Sequence, residues 1–92
     1  MTILDQRYLP ISGIEAEDTG HEVLVYLAGG DKTLYLNDTA ALVWRLCNGD
    51  TTGTEMVAML IEAYPEAADS IPEQVEETLQ GFLGQGLIRV HG

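Results

Sequence analysis

The hydrophobic residues of the chain change their spacing at Asn37. Before it, residues 22–27 (EVLVYL) and residues 32–36 (KTLYL) are rich in β-branched and aromatic side chains. This composition is typical of strands, and the glycines at 29 and 30 favour a hairpin turn over residues 28–31. A looser alternation over residues 11–17 indicates a further short strand. The first part of the chain therefore predicts three antiparallel strands.

After Asn37 the apolar residues follow the period of a helix. The expected buried face has residues at i, i+3, i+4 and i+7, namely Ala40, Val43, Trp44 and Cys47. The Asn37 side chain is a good N-cap, able to accept a hydrogen bond from the backbone of Thr39 or Ala40. Gly49 is expected to end this first helix, because glycine adopts the left-handed conformation at low cost.

Two more helices are predicted, each after a capping-box sequence. Residues 52–55 (TGTE) open the second helix and Pro65 follows it, while residues 70–73 (SIPE) open the third and Gly86 ends it. The expected buried faces are Val57, Leu60, Ile61 and Tyr64 in the second helix, and Val75, Thr78, Leu79, Phe82 and Leu83 in the third. Residues 87–90 indicate a short closing strand.

The order of these elements predicts the fold class. It is α+β, a winged helix-turn-helix in which a small antiparallel three-stranded sheet is followed by three helices and a short terminal strand. Residues 11–92 are assigned to this one domain, since 92 residues suffice for a single core. Residues 1–10 have no clear period, so we expect an N-terminal arm that becomes ordered only against something else.

The charge of the chain limits its partners. Four Lys and Arg residues stand against 15 Asp and Glu, giving a formal net charge of -11. Such a surface repels nucleic acids and anionic membranes, so a neutral or basic peptide is the more plausible polymer partner. The sequence has no membrane-length apolar run and no signal-peptide layout, and it contains one cysteine. These features indicate a cytoplasmic protein.

The sequence offers few residues for catalysis. The possible metal ligands His21, Cys47 and His91 are far apart, Ser70 is expected to cap a helix, and no glycine-rich phosphate loop occurs. We therefore expect no catalytic residue, no metal site and no cofactor. Trp44 and Tyr64 could stack on a ligand, but their spacing among Leu and Val favours the core.

Two glycines in the third helix allow two interpretations. Gly81 and Gly84 each lower helix stability by about 1 kcal/mol relative to alanine. Either the last turn of the helix is frayed, or the small residues allow another backbone to approach closely. Spacing does not distinguish these alternatives.

Several of these residues together resemble the PqqD family. They lie within residues 32–90 and comprise the run Leu36-Asn37-Asp38-Thr39-Ala40, then Trp44, Leu46, Gly49, Thr52, Leu60, Tyr64, Val75, Phe82 and Leu83, and last Gly86-Leu87-Ile88. The chain departs from the family pattern at Gly81, at Gly84 and at Asn48, where an acidic residue is common. The resemblance implies a non-catalytic winged-helix domain that binds the leader segment of a ribosomally made precursor peptide. Such a domain presents the leader to a modifying enzyme, a radical SAM protein or a leader protease, in pyrroloquinoline quinone (PQQ), lasso-peptide or similar biosynthesis.

The resemblance also implies a binding mode, in which the leader pairs with the third strand and lies between it and the third helix. The implied peptide-binding residues are Lys32, Thr33, Leu34, Tyr35 and Leu36 on the strand, and Val75, Thr78, Leu79 and Phe82 on the helix. The helix residues must also fill the core, and spacing does not separate the two roles. Five acidic residues on or just before the helix favour a leader with Lys or Arg, namely Glu66, Asp69, Glu73, Glu76 and Glu77.

The sequence also allows other functions. The domain could be a scaffold that binds only the modifying enzyme, or a winged-helix DNA-binding protein. Because the third helix carries acidic residues and no Lys or Arg, DNA binding is the less favoured of these. An exposed edge strand could also pair with its own copy and form a homodimer.

Overall fold

A computed structural model describes residues 3–20, 22–26 and 33–91 of the chain. The elements in chain order are a 3₁₀ turn at Ile3–Asp5, strand β1 (Arg7–Pro10), strand β2 (Glu15–Asp18), strand β3 (Val23–Tyr26), strand β4 (Thr33–Leu36), helix α1 (Asp38–Leu46), helix α2 (Gly53–Ala63), a 3₁₀ turn at Pro65–Ala67, helix α3 (Ile71–Gly84) and strand β5 (Ile88–His91). This is the predicted α+β class, with the three-stranded sheet, three helices and terminal strand in the expected order. The predicted hairpin turn at residues 28–31 lies outside the described residues.

The three-stranded sheet is antiparallel and has the order β2-β3-β4. Val25 of β3 is opposite Leu34 of β4, and Leu24 is opposite Tyr35. The face with Val25 and Leu34 packs on the core, since Val25 is fully buried and Leu34 is half-buried against it. Because alternate residues face opposite sides, Tyr35 lies on the outer face. The sheet therefore ends in two edge strands, β2 and β4.

The N-terminal segment is part of the fold. Residues 7–10 form β1, which pairs antiparallel with β5 in a second, two-stranded sheet. Tyr8 is fully buried, and its hydroxyl donates a hydrogen bond to the Ile3 carbonyl oxygen at 2.6 Å. The expected arm thus has its own strand and a core residue. Its partner strand lies some 80 positions later in the chain, so no local pattern reveals the pairing.

The N-caps of the helices agree with the sequence in two cases of three. The Ala40 amide donates to Asn37 Oδ1 at 2.8 Å, and Thr52 with Glu55 forms the complete reciprocal capping box. Each such cap stabilises a helix by about 1 kcal/mol. The capping box predicted at Ser70 is wrong. Ser70 is already in a helical conformation, and its hydroxyl donates to the Ala67 carbonyl at 3.1 Å. It belongs to a turn at residues 68–70 that connects the Pro65–Ala67 turn to α3.

The core lies between the helices and the inner faces of both sheets. Its buried residues are Tyr8, Val23, Val25, Ala41, Val43, Cys47, Met56, Leu60, Ile71, Val75, Leu79, Phe82, Leu87 and Ile88. The ring of Trp44 meets that of Phe82 edge to face, with 5.7 Å between centroids, so Trp44 supports the α1–α3 contact. In α2 the buried face is centred on Met56 and Leu60. Tyr64, expected to be buried, is 38% exposed at the end of that helix.

The surroundings of Gly81 and Gly84 in α3 differ from those of Gly53 in α2. A Cβ built on Gly81 or Gly84 meets no atom within 4 Å, so no described backbone approaches α3 there. The helix nevertheless continues through Gly84, so its last turn is not frayed. Gly53 is different, because its Cβ would lie 2.7 Å from Leu4 Cα. The glycine inside the capping box therefore allows the N-terminal segment to pack on α2.

Candidate functional site

Strand β4 runs into α1 through a single residue, Asn37. That residue has extended backbone angles, φ −69° and ψ 176°, while its side chain caps the helix through the Ala40 amide. The strand therefore continues without a loop to the first turn of α1. Because α1 is held in the core by Val43 and by the Trp44 contact with Phe82, the direction of β4 is fixed at its C-terminal end.

The free edge of β4 carries no charged side chain over residues 33–36. Leu34 and Leu36 turn towards the core and are half-buried. Thr33 and Tyr35 turn outward, and Tyr35 is 74% exposed, which is the largest exposure among the large hydrophobic residues that the structure describes. The edge thus offers backbone groups together with an accessible aromatic ring. Lys32, the fifth strand residue implied by the family resemblance, lies outside the described residues.

The four implied residues of α3 divide between core and surface. Val75 and Leu79 are fully buried and Phe82 is nearly so, and all three belong to the hydrophobic core. Thr78 is half-buried, and its hydroxyl donates to the Gln74 carbonyl at 2.7 Å. The structure therefore places Thr78 at the surface of α3 and the other three beneath it.

A pocket of about 170 Å³ lies where the β4–α1 junction meets α3. It is lined by Asn37, Thr39, Gln74, Glu77 and Thr78. Of these, only Thr78 was expected at the site from the sequence. Gln74 and Thr78 are one helical turn apart, and this spacing is the signal that places Gln74 on the same face. The sequence assigned Asn37 only a capping role. The cap uses the oxygen of its side-chain amide and does not involve the amide nitrogen.

The surface around α3 is acidic. Glu73, Glu76 and Glu77 are exposed on the helix, and Glu66 and Asp69 are exposed just before it. Negative potential near the pocket favours cationic side chains in anything that binds there. Since exposed charges are screened by salt, this preference should depend on ionic strength.

The sequence offered Cys47 as one of three scattered metal-ligand candidates, and the structure describes the surroundings of Cys47. Burial raises the pKa of the Cys47 thiol to about 12, so the thiol stays protonated at neutral pH and is a poor nucleophile. No group of three or more His, Cys, Asp or Glu side chains within residues 3–20, 22–26 and 33–91 is arranged to hold a metal ion.

A second, apolar pocket of about 310 Å³ lies between α1 and α2. Its lining residues are Leu42, Arg45, Leu46, Met59, Leu60 and Ala63. None of them belongs to β4 or α3, so this pocket is separate from the one beside Thr78.

Among residues 3–20, 22–26 and 33–91, none of the helices has the length and the apolar character that crossing a membrane requires.

Comparison with known proteins identifies a family for this chain. Neither a curated protein nor a solved structure matches this chain. The PqqD family, described as coenzyme PQQ synthesis protein D, matches residues 22–88. The match begins just before β3 and ends at the start of β5, and therefore includes the β4 edge, the Asn37 junction and all three helices. The chain belongs to the PqqD family, whose members take part in the biosynthesis of PQQ and related products made from ribosomal peptides.

Proposed function

We propose that this protein binds the leader segment of a precursor peptide by adding it as a strand to β4. The observation that supports this proposal is that the β4 edge is uncharged and exposed. Strand β4 lies at the margin of the sheet, has no charged residue, and presents Tyr35 to solvent. An edge of this kind pairs readily with another strand unless something covers or blunts it. A leader peptide would satisfy its open hydrogen-bonding groups.

Backbone pairing would supply affinity, and the side chains next to the strand would supply selectivity. In strand addition, alternate side chains of the peptide point to the two faces of the sheet. One set would meet Tyr35 on the outer face. The other set would turn towards α3, where Thr78 and Gln74 line the polar pocket. A leader with small or polar residues on that side fits this pocket better than one with large apolar residues.

The charge of the α3 region specifies the leader further. Glu73, Glu76 and Glu77 are exposed on α3, and Glu77 lines the pocket itself. A Lys or Arg of the leader would be attracted to this surface, most strongly at low salt.

In this proposal the domain is not an enzyme. The chemistry would come from a separate modifying enzyme, a radical SAM protein or a leader protease, to which the bound leader is presented. Presentation requires that the leader remain attached to β4 while the rest of the precursor is free to enter the enzyme.

The direct test is a titration of the chain with the fluorescently labelled leader of a candidate precursor peptide, chosen from short reading frames near its gene. We expect saturable binding in the micromolar range, and a loss of about tenfold in Tyr35→Ala, since a central exposed aromatic residue is a frequent binding hot spot. Tyr64→Ala is the matched control, because Tyr64 is also an exposed tyrosine but lies at the end of α2. Equal effects of both substitutions would contradict binding at β4.

The same titration tests the scaffold alternative. If the leader does not bind, yet the isolated chain binds the modifying enzyme, the domain is a scaffold and the proposal is wrong. If both bind, competition between leader and enzyme shows whether the two share the β4 edge.

A further inference from the structure

The second sheet carries an unusual concentration of positive charge. The sequence contains four Lys and Arg residues. Arg45 is paired with Asp18, and Lys32 lies outside the described residues. The other two, Arg7 and Arg89, both lie on the β1–β5 pair. For a chain of net charge -11, this placement is a marked departure from its general acidity.

The register puts both arginines on one face. Arg7 is opposite His91, and Leu9 is opposite Arg89. Directly opposed residues, and residues two apart in one strand, share a face of an antiparallel pair. The alternate face packs on the core through Tyr8 and Ile88, while Val90 at its outer end is exposed. We call the outward set of four residues the basic face: Arg7, Leu9, Arg89 and His91.

The basic face has a firm support. The Gly49 amide donates to the Tyr8 carbonyl at 2.8 Å, and Gly49 has φ +85°. A Cβ at this glycine would lie 3.0 Å from Leu9 Cδ2 and 3.4 Å from His91 Cδ2. The Leu9 and His91 side chains therefore pack on the loop at Gly49, and a larger residue there would displace Leu9.

Little of this positive charge is neutralised within the chain. The Arg89 side chain makes no hydrogen bond or ion pair with any residue that the structure describes. Arg7 donates one long hydrogen bond, 3.4 Å, to the Asp50 carbonyl oxygen. Hydrogen bonds with Thr52 lower the pKa of Glu55, and the charge of Arg7 adds a smaller effect in the same direction. Arg7 therefore already interacts with one carboxylate of the chain. Arg89 is thus the more available of the two cations.

Strand β5 also has an open edge. On the other side of the pair, β1 is covered by residues 49–53, through a bridge between Arg7 and Thr52 and through the Gly53 amide, which donates to the Gln6 carbonyl at 3.2 Å. Among the described residues, β5 pairs only with β1. Its exposed residues alternate between Arg89 and His91 on the basic face and Val90 on the other face.

From this arrangement we infer that β5 is a docking edge for an acidic segment of a partner protein. The segment would pair with β5 and alternate acidic with apolar residues. Its carboxylates would meet Arg89 and His91, and its apolar side chains would lie beside Val90. Because the rest of the surface repels an acidic partner, the basic face would also fix the orientation of approach. The inference does not depend on leader binding at β4, which concerns the other sheet.

The experiment uses the ¹⁵N-labelled full chain and a short peptide alternating Glu and Val, at low salt. We expect amide shifts centred on residues 7–9 and 88–91. Arg89→Gln should weaken binding about twofold to fivefold, and Arg7→Gln should weaken it less. Arg45→Gln is the matched control, since that arginine is already paired with Asp18. Arg89→Lys should retain most of the binding.

Several outcomes would overturn the inference. Absence of shifts in β5, an equal effect of Arg45→Gln, or equal binding by a peptide alternating Lys and Val would each do so. A single-stranded DNA oligonucleotide that binds as well as the acidic peptide would indicate a general anion site. Sedimentation of the unliganded chain tests one more occupant: a dimer that Arg89→Gln dissociates would assign this edge to a second copy. The thermal midpoint of each variant verifies that the exposed substitutions leave the fold intact.

Discussion

The two edges of the three-stranded sheet differ in chemistry although they flank the same central strand. Leu24 of β3 has Glu17 of β2 on one side and Tyr35 of β4 on the other. Strand β2 reads EAED and all four of its residues are exposed, whereas β4 reads TLYL. Charges on an edge strand discourage pairing with another chain. One margin of the sheet is therefore protected by its sequence, and the other is not.

The charged groups of β2 are also engaged within the molecule. Asp18 accepts hydrogen bonds from Arg45 Nε at 2.5 Å and Arg45 Nη2 at 2.7 Å, which ties the end of β2 to α1. On the outer face, a hydrogen bond with the Glu17 carboxylate raises the pKa of Tyr26. The β4 edge is tied to α1 by the backbone instead, through Asn37. The Thr33 and Tyr35 side chains remain exposed, and for this reason we propose β4 as the edge that binds the peptide.

The largest effect is expected from proline in β4. Successive residues of a strand direct their N–H groups to opposite edges, so Leu34→Pro and Tyr35→Pro remove one outward N–H and one N–H bonded to β3. We expect one variant to keep its thermal midpoint within a few degrees and lose leader affinity by about tenfold or more. The other should lose both, because a ladder hydrogen bond is broken. The measurements are thermal melts followed by circular dichroism and fluorescence titrations of each variant.

This pair of variants contains its own control. If both prolines leave the leader affinity unchanged, the leader does not use the β4 backbone. If both variants unfold in parallel with their loss of binding, the edge carries no separate function.

A smaller effect is expected from giving β4 a charge. Tyr35→Lys makes this edge resemble a protected one, and it also repels a basic leader. Since Tyr35 is 74% exposed, the free energy of unfolding should change by less than about 0.5 kcal/mol. Leader affinity should fall further in Tyr35→Lys than in the uncharged Tyr35→Gln, which removes only the ring. A smaller loss in Tyr35→Lys than in Tyr35→Gln, measured by titration, would argue against charge as the protecting feature.

Strand β4 could be predicted from the sequence and strand β1 could not, and the difference has a physical reason. Strands β3 and β4 are neighbours in the chain, and Asn37 gives a local capping signal, so pattern alone locates the edge that carries the proposal. The pairing of Arg7–Pro10 with Ile88–His91 joins the two ends of the chain, and no spacing rule connects them. The basic face depends on that pairing, so it could not be predicted from the sequence either.

The division of α3 between core and surface was also beyond the sequence. One stripe along α3 contains Val75, Thr78, Leu79 and Phe82. Helical spacing places these residues on the same side of the helix but does not show how deeply each one is buried. Burial puts Thr78 at the surface and exposes Gln74 beside it. The capping box predicted at Ser70 failed for a similar reason: its sequence signal is present, but Ser70 belongs to a turn, and its hydroxyl donates back to Ala67 and makes no capping bond to the backbone of α3.

A modest effect is expected from the acidic residues of α3. Leader affinity should fall about threefold to tenfold as the salt concentration is raised from low to physiological levels and above, because screening weakens the attraction to Glu73, Glu76 and Glu77. Replacing these three residues by glutamine should flatten this dependence. The matched control replaces Glu15 and Glu17 on the β2 edge, where we expect the salt dependence to remain. Salt-independent binding in the unmodified chain would remove the basis for preferring a basic leader.

The smallest effect concerns the ion pair that ties β2 to α1. Hydrogen bonds from Arg45, and next from the Gly20 amide, lower the pKa of Asp18 from 3.8 to about 2 in the folded chain. A carboxyl whose pKa is lowered by folding stabilises the fold above its unfolded pKa, and this contribution is lost as the pH falls through the folded value. The pair should therefore add stability above about pH 4 and none below about pH 2. Because both groups are exposed, the contribution is small.

Urea unfolding of the unmodified chain and of Asp18→Asn, measured across this pH range, tests the assignment. The variant should be slightly less stable at pH 6, and the difference should shrink towards zero as the pH approaches 2. Leader affinity at neutral pH should be unchanged, since β2 is the protected edge. A loss of leader binding in Asp18→Asn as large as in Tyr35→Ala would mean that the two edges do not act separately, and that the tie between β2 and α1 positions β4 through the helix they share.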